Sequence, residues 1–130
     1  MIIEKFNAEK HYSNIKELYN KYNLEGIPLE FLSDFGLVIS NSNNIICAGW
    51  LYTTNSSVCY IENFIANKDL DKNTRKEGLQ SLFRELIKNA KENKFKLILT
   101  NSKHNNLIQL GIDEFNFIEL DGYKVFYREL

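Results

Sequence analysis

The sequence predicts an α/β domain (α+β by some schemes) with a mixed, mostly antiparallel sheet of about six to seven strands and helices on both faces. Short apolar runs separated by polar turns indicate antiparallel strands. A long amphipathic helix between two apolar runs indicates a parallel crossover. The length of 130 residues fits a single domain spanning residues 1–130, and a hydrophobic share of 44% is enough for a packed core.

The first half of the chain predicts a strand, a helix and three further strands. Residues 2–6 form an apolar run, and Asn7 can cap the helix that follows. One face of this helix is apolar and consists of Ile15, Leu18, Tyr19 and Tyr22. Gly26 and Pro28 then interrupt the helical pattern before a short apolar segment. The strand-like runs that follow are residues 37–39, 45–52 and 58–66, with polar turns at 41–44 and 55–56.

The second half begins with the clearest helix of the chain, which we expect to start after Thr74. Its apolar positions recur at helical spacing and are Leu79, Leu82, Phe83, Leu86, Ile87 and Ala90. Residues 95–100 then form a short apolar strand, so strand, helix and strand compose a βαβ crossover. A further helix is expected over residues 105–115. Asp121-Gly122 predicts a tight turn in a final hairpin of residues 117–127.

The segment Arg75-Lys76-Glu77-Gly78 is expected to open the long helix, and Gly78 is its informative residue. Glycine inside a helix costs about 1 kcal/mol relative to alanine, so its presence needs a physical reason. One reason is that glycine in the first turn leaves the free N–H groups of the helix start open to a phosphate. The other is that glycine eases packing of an ordinary helix start against the sheet. The sequence alone supports the two interpretations equally.

Charge and composition exclude several classes of function. The formal net charge is −1 and no basic stripe occurs, so no nucleic-acid partner is expected. No apolar run approaches the ~18 residues of a membrane span, and the first residues lack the pattern of a signal peptide. We therefore expect no membrane contact and a cytoplasmic location. Cys47 and Cys59 lie in apolar runs without metal-ligand spacing, which predicts buried, reduced thiols and no metal.

These elements, together with the turn at the long helix, resemble the GNAT superfamily of N-acetyltransferases (the acyl-CoA N-acyltransferase fold) over essentially the whole chain. The backbone amides of the family motif, Q/R-x-x-G-x-G/A, hold the pyrophosphate of acetyl-CoA. Here the motif reads Arg75-Lys76-Glu77-Gly78-Leu79-Gln80. Arg75 and Gly78 match it, whereas Gln80 replaces the second small residue. The larger Gln80 side chain either crowds the phosphates or points aside.

The resemblance also implies where the rest of the cofactor lies. In the family, the strand before the motif splays from the next strand and its backbone pairs with the pantetheine arm. Phe64 to Ala66 occupies that place in this sequence. The implied acyl donor is acetyl-CoA, without a metal. The implied cofactor-binding residues are Phe64, Ile65, Ala66, Arg75, Lys76, Glu77, Gly78, Leu79, Gln80 and Asn105.

A second family pattern, N-x6-Y-x3-G-F, often follows the next strand. Its Asn contacts the cofactor and its Tyr protonates the leaving thiolate. Asn105 and Phe117 match this pattern, while Ile112 stands at the tyrosine position and Asn116 replaces the glycine. The resemblance therefore supports the family, but the usual acid is absent.

Acetyl transfer to an amine also needs a base, and Glu62 is the best candidate for this catalytic role. It resembles the acid often found on this strand in the family, and burial can raise a carboxyl pKa toward neutrality. The alternative is an ordinary surface or salt-bridged carboxylate. His11 and His104 lack a triad or metal arrangement. The hydroxyls that could replace the missing acid belong to Tyr52, Tyr60, Tyr123 and Tyr127.

The acceptor is the least specified part of the prediction. In the family, the acceptor cleft is formed partly by the segment after the first helix, here residues 24–35, and by the last hairpin. Acidic residues of this segment either attract a cationic amine or are ordinary solvated charges. Trp50 and Phe64 either line the cleft or fill the core. The acidic residues in question are Glu25, Glu30 and Asp34.

The sequence thus predicts a GNAT-type N-acetyltransferase that acts on a primary amine of a small molecule or a protein. The alternative is a non-catalytic domain of the same fold that binds a CoA compound or a protein partner. A homodimer is compatible with either function.

Overall fold

The computed structural model describes residues 1–24, 26–42 and 44–130. Glu25, a candidate charge of the acceptor cleft, and Asn43, part of a predicted turn, lie outside the described residues. A short 3-10 turn, Leu29–Phe31, precedes the second strand. The elements in chain order are β1 (Ile2–Lys5), α1 (Ala8–Lys21), β2 (Phe35–Ser40), β3 (Ile45–Tyr52), β4 (Val58–Ala66), α2 (Lys72–Glu92), β5 (Leu97–Thr100) and α3 (Asn105–Phe115).

The sheet is mixed, and its strands lie in the order of the chain, from β1 to β5. The first four strands pair antiparallel, and β5 pairs parallel to β4. Because α2 connects the only parallel pair of the described strands, the predicted βαβ crossover is confirmed. The described part of the chain holds five strands, slightly fewer than predicted.

The two faces of the sheet carry different helices, as expected. On one face, Val38, Ala48 and Trp50 pack against Ile15 and Tyr19 of α1. On the other face, α2 covers the sheet, and α3 packs in turn on α2. Both cysteines are free and buried, as predicted, and burial raises the pKa of Cys47 to about 12. Within the described ranges, no helix combines the length and apolar character needed to cross a membrane.

The start of α2 differs from the prediction. The helix begins at Lys72, with Asp71 as its N-cap, so it starts before Arg75. The Asp71 carboxylate accepts hydrogen bonds from the Thr74 backbone N–H at 2.9 Å and from the Thr74 hydroxyl at 2.7 Å. This cap provides a hydrogen-bond acceptor for a free N–H group of the first turn, so the helix begins before Arg75 in the chain. The prediction that Arg75 to Gly78 opens the helix is therefore wrong, and Gly78 lies in the second turn.

The C-terminal segment, residues 116–130, also differs from the prediction, because the structure assigns no strand within it. Gly122 has a φ of +83°, which fits the expected turn, but its flanking residues do not pair with the sheet. Phe117 instead packs at the end of α3. Its N–H donates to the Gly111 carbonyl, and its ring packs on Phe83. The side chains of Phe126 and Tyr127 are consequently 92% and 87% exposed.

Candidate active site

A fork between β4 and β5 is the main feature of the site. The two strands pair only where Val58–Ile61 meets Leu97–Thr100. Beyond this point β4 continues to Ala66, paired on its other side with β3. The β5-facing edge of residues 62–66 therefore has no ladder partner in the described part of the chain. β4 thus continues past the end of β5 and leaves this edge open, and an extended molecule with amide groups can add to such an edge.

A β-bulge lies at the apex of the fork. Trp50 pairs with Glu62 and Ala48 pairs with Ile65, so three steps on β4 oppose two on β3. The extra residue is Asn63, whose φ of +63° is left-handed, a conformation that asparagine tolerates better than most residues. The bulge brings Asn63 to the α1 side of the sheet, beside Glu62.

The surroundings of Glu62 shift the pKa of its carboxyl group. It is half-buried, and this burial raises its pKa to about 7. Its Oε1 accepts a hydrogen bond of 2.7 Å from the Asn101 side-chain amide. Glu62 forms no ion pair with any described residue. The raised pKa agrees with the expectation for a base and argues against the salt-bridged alternative.

Of the four candidate tyrosines, the structure brings Tyr52 next to Glu62. Burial raises the pKa of Tyr52, and the charge of Glu62 adds to that effect. The Tyr52 hydroxyl donates to the Phe31 carbonyl at 2.8 Å and accepts from the Asn63 amide at 2.6 Å. Tyr60 lies opposite Tyr52 in the register and is 39% exposed. The remaining candidates, Tyr123 and Tyr127, are exposed in the C-terminal segment.

The motif segment on α2 decides between the two interpretations of Gly78. A Cβ atom on Gly78 would stand 2.4 Å from Cγ2 of Ile46, so glycine is required for close packing of α2 on β3. The N–H groups of Gly78, Leu79 and Gln80 lie inside the helix, where they donate to preceding carbonyls. The packing interpretation is therefore supported, and these amides are not free to hold a phosphate.

The Gln80 side chain points toward α3 and does not crowd the start of α2. Its side-chain amide donates to Oε1 of Glu114 on α3 at 2.7 Å. Arg75 differs from its neighbours, because its Nε is buried and has no hydrogen-bond partner in the part of the chain that the structure describes. A buried, unpaired guanidinium nitrogen is suited to an anion. The segment thus fits a phosphate through the Arg75 side chain rather than through its backbone.

The histidines and Asn105 occupy helix starts. The Nδ1 of His11 accepts the Asn7 N–H at 2.9 Å, so this buried histidine stabilises the start of α1. Burial lowers the pKa of His11. His104 is the N-cap residue of α3 without a side-chain cap bond, and Asn105 is the exposed first residue of that helix.

The predicted acceptor segment borders an open depression of about 510 Å³, to which it contributes Leu29, Leu32, Ser33 and Asp34. Lys5 of β1 also lines this depression. Trp50 is fully buried and fills the core, so it does not line a cleft.

Phe64 is partly buried against the α2 side of the sheet, with its ring 5.2 Å from that of Phe83. Among the described residues, no cluster of three His, Cys, Asp or Glu could hold a metal ion.

No protein-family model matches the sequence, and no curated protein matches it. Rv2747 from Mycobacterium tuberculosis, solved with CoA and NLQ, superposes with a TM-score of 0.72 at 12% identity, covering 97% of this chain and 76% of that chain. An aminoglycoside N-acetyltransferase in complex with CoA gives 0.65 at 13% identity, covering 99% of both chains. The glucosamine-6-phosphate N-acetyltransferase of Arabidopsis thaliana gives 0.68 at 10% identity, covering 98% of both chains.

The chain has the GNAT fold. Within this GNAT fold, two residues beside Glu62 were not predicted from the sequence, Asn63 and Asn101. An asparagine inside an otherwise apolar strand is a signal for a bulge, because asparagine enters the left-handed region more readily than most residues. Asn101 directly follows β5, but its proximity to Glu62 becomes visible only once the register of β4 and β5 is known.

Proposed function

We propose that this protein is an acetyl-CoA-dependent N-acetyltransferase that acts on a primary amine. The observation that carries the proposal is the position of Glu62, a carboxyl group with a pKa of about 7 at the apex of the β4–β5 fork. Similar folds solved with CoA support the donor. The acceptor class is supported by two similar structures that are named for N-acetylation of an aminoglycoside and of glucosamine 6-phosphate.

The donor is proposed to lie along the open edge of β4, at Phe64, Ile65 and Ala66, with its diphosphate toward α2. Arg75 and Lys76 supply positive charge there, and the unpaired Nε of Arg75 supports this placement. Asn105 is proposed to contact the same molecule from the start of α3. The remaining motif residues, Glu77 to Gln80, form the helical turn that follows these two cationic residues along α2. When bound, acetyl-CoA supplies an acetyl group activated as a thioester.

Glu62 is proposed to remove a proton from the acceptor ammonium. With a pKa of about 7, a large fraction of Glu62 is ionised at neutral pH, and this carboxylate is more basic than an ordinary one and can accept the proton. A thiolate whose conjugate acid has a pKa of about 8.5 can leave without a dedicated acid, which accounts for Ile112 at the usual tyrosine position. The Tyr52 hydroxyl is committed to Phe31 and is not assigned this role.

Two measurements test the proposal. Saturating acetyl-CoA at about 100 times its Kd should stabilise the fold by roughly 2.7 kcal/mol and raise the melting temperature by several degrees. Thiol release is then followed with a panel of primary amines. We expect Glu62→Gln to keep the thermal shift and to lose most of the release, whereas Glu92→Gln, at the exposed end of α2, should keep both.

Each result has a distinct meaning. A thermal shift without thiol release from any amine would favour the non-catalytic domain that binds a CoA compound. No shift with acetyl-CoA would contradict the proposed function. The cytoplasmic location, the single domain and the homodimer stay predictions that these measurements do not address.

A further inference from the structure

Asn101 makes a polar contact across the β4–β5 fork that the proposed chemistry does not yet use. Backbone pairing of the two strands ends at Ile61 and Thr100, where the Thr100 hydroxyl also donates to the Ile61 carbonyl at 2.6 Å. One residue further, the Asn101 Nδ2 donates to Oε1 of Glu62 at 2.7 Å. Directly beyond the backbone ladder, the two segments are therefore linked by a side-chain bond to the candidate base.

We propose that Asn101 is a positioning residue that holds the Glu62 carboxylate at the mouth of the fork, an inference that rests on the proposed function. The amide bonds to Oε1, and no described residue forms a hydrogen bond to Oε2, which can therefore take a proton. An amide is neutral throughout the working pH range, so Asn101 neither gives nor takes the proton itself. It acts only through Glu62.

The contact is also expected to favour the ionised form of Glu62. An N–H donor stabilises the ionised carboxylate and lowers its pKa, whereas burial stabilises the protonated form. Burial raises the pKa of Glu62, and we expect the hydrogen bond from Asn101 to oppose this rise. The titratable group that responds to the charge of Glu62 from a neighbouring strand is Tyr52 on β3. From α1, the Tyr19 hydroxyl reaches the carbonyl of Asn63, beside Glu62.

The experiment is a titration of Glu62 by carboxyl carbon NMR on the whole chain, in the wild type and two variants. Asn101→Ala removes the donor and should move the Glu62 midpoint upward by about half to one pH unit. Asn101→Asp keeps the shape but adds a second carboxylate, and should move the midpoint further upward. The matched control is Gln109→Ala, which breaks another exposed amide–carboxylate bond of 2.7 Å, to Asp113, and should leave the midpoint unchanged.

The titration needs no substrate, so it fails or succeeds independently of acetyl transfer. An unchanged or lowered midpoint in Asn101→Ala would overturn the inference. If amine acetylation is observed, the acid limb of its pH–rate profile should move upward by the same amount as the midpoint. A limb that stays in place while the midpoint moves would show that Asn101 does not position the base for the reaction. A shifted midpoint in a protein without thiol release would keep the Asn101–Glu62 contact and reject the proposed function alone.

Discussion

Gly78 of α2 lies so close to Ile46 of β3 that a single added carbon would stand 2.4 Å from Cγ2 of the isoleucine. This contact sets how closely the long helix packs on the sheet. It also means that a bulky substitution at Gly78 tests packing before it tests cofactor binding, so loss of binding in such a variant would not locate the phosphate site.

We expect Gly78→Ala to destabilise the fold by about 1–3 kcal/mol, although alanine favours helix by about 1 kcal/mol, because overpacking outweighs propensity. Urea unfolding measures the change. Ile46→Ala removes the obstructing methyl group, so the double variant should lose less stability than the sum of the two single variants. Gly26→Ala is the control, since nothing lies within 4 Å of an added Cβ there. Additive losses at Gly78 and Ile46 would contradict the packing argument.

The raised pKa of Glu62 predicts a dependence of stability on pH. The folded value is about 7 and the ordinary value is 4.5, so the folded state binds more protons between these pH values. Stability from this group is present below about pH 4.5 and is lost as the pH rises to about 7. Solvent screens a half-buried group, so we expect a loss of about 1–2 kcal/mol.

The measurement is urea unfolding at pH 5 and pH 8. Relative to wild type, Glu62→Gln should be more stable at pH 8 than at pH 5, since glutamine does not ionise. Glu119→Gln, a change of an exposed glutamate, should show no such difference. A Glu62→Gln variant that follows the wild-type pH dependence would show that another group is responsible.

The left-handed conformation of Asn63 predicts an unusual order of substitutions. A β-branched residue in this conformation costs roughly 1–2 kcal/mol, whereas glycine adopts it freely. Asn63→Val should therefore be less stable than Asn63→Gly by about that amount, contrary to the usual preference of strands for valine. Chemical denaturation gives the order. Asn116 at the end of α3 has a φ of +61°. At this second position, the glycine variant should likewise be more stable than the valine variant. Equal stability of the two Asn63 variants would argue against the bulge.

The unpaired Nε of Arg75 predicts a selective effect on binding. Arg75→Gln should weaken acetyl-CoA binding about tenfold, because it removes a charge-assisted contact to a phosphate. Pantetheine lacks the phosphates of CoA, so its binding should be unaffected. Calorimetry compares the two ligands. Gln80→Ala and Lys88→Gln should leave the acetyl-CoA affinity unchanged, since Gln80 bonds to Glu114. Equal losses for acetyl-CoA and pantetheine in Arg75→Gln would place the phosphates elsewhere.

Much of this fold could be predicted from the sequence because its signals are local. The bounds of β3, β4 and α3 follow from apolar runs and from helical spacing between polar turns. The start of α2 was misplaced because the bond between Asp71 and Thr74 competes with the pattern around Gly78. The final hairpin was overestimated because Phe117 packs on Phe83 instead of extending a strand.

The site was harder to predict, because its geometry depends on contacts between distant residues. Glu62 could be proposed from its place on a strand, but its raised pKa depends on burial by other elements. The bulge at Asn63 exists only relative to β3, and the Asn101 contact exists only relative to β4. No local pattern encodes either relationship.

The bulge at Asn63 could be removed by a single-residue deletion. Glu62 pairs with Trp50 and Ile65 with Ala48, so deletion of Asn63 alone would leave two steps on each strand and restore a regular ladder. Every core side chain of β4 would keep its face, because the register on both sides of the deletion already agrees. A three-nucleotide deletion could thus convert a strand that bends at the site into a straight one without disturbing the packed interior. In this chain, one codon therefore separates a regular β3–β4 ladder from one with a bulge beside Glu62.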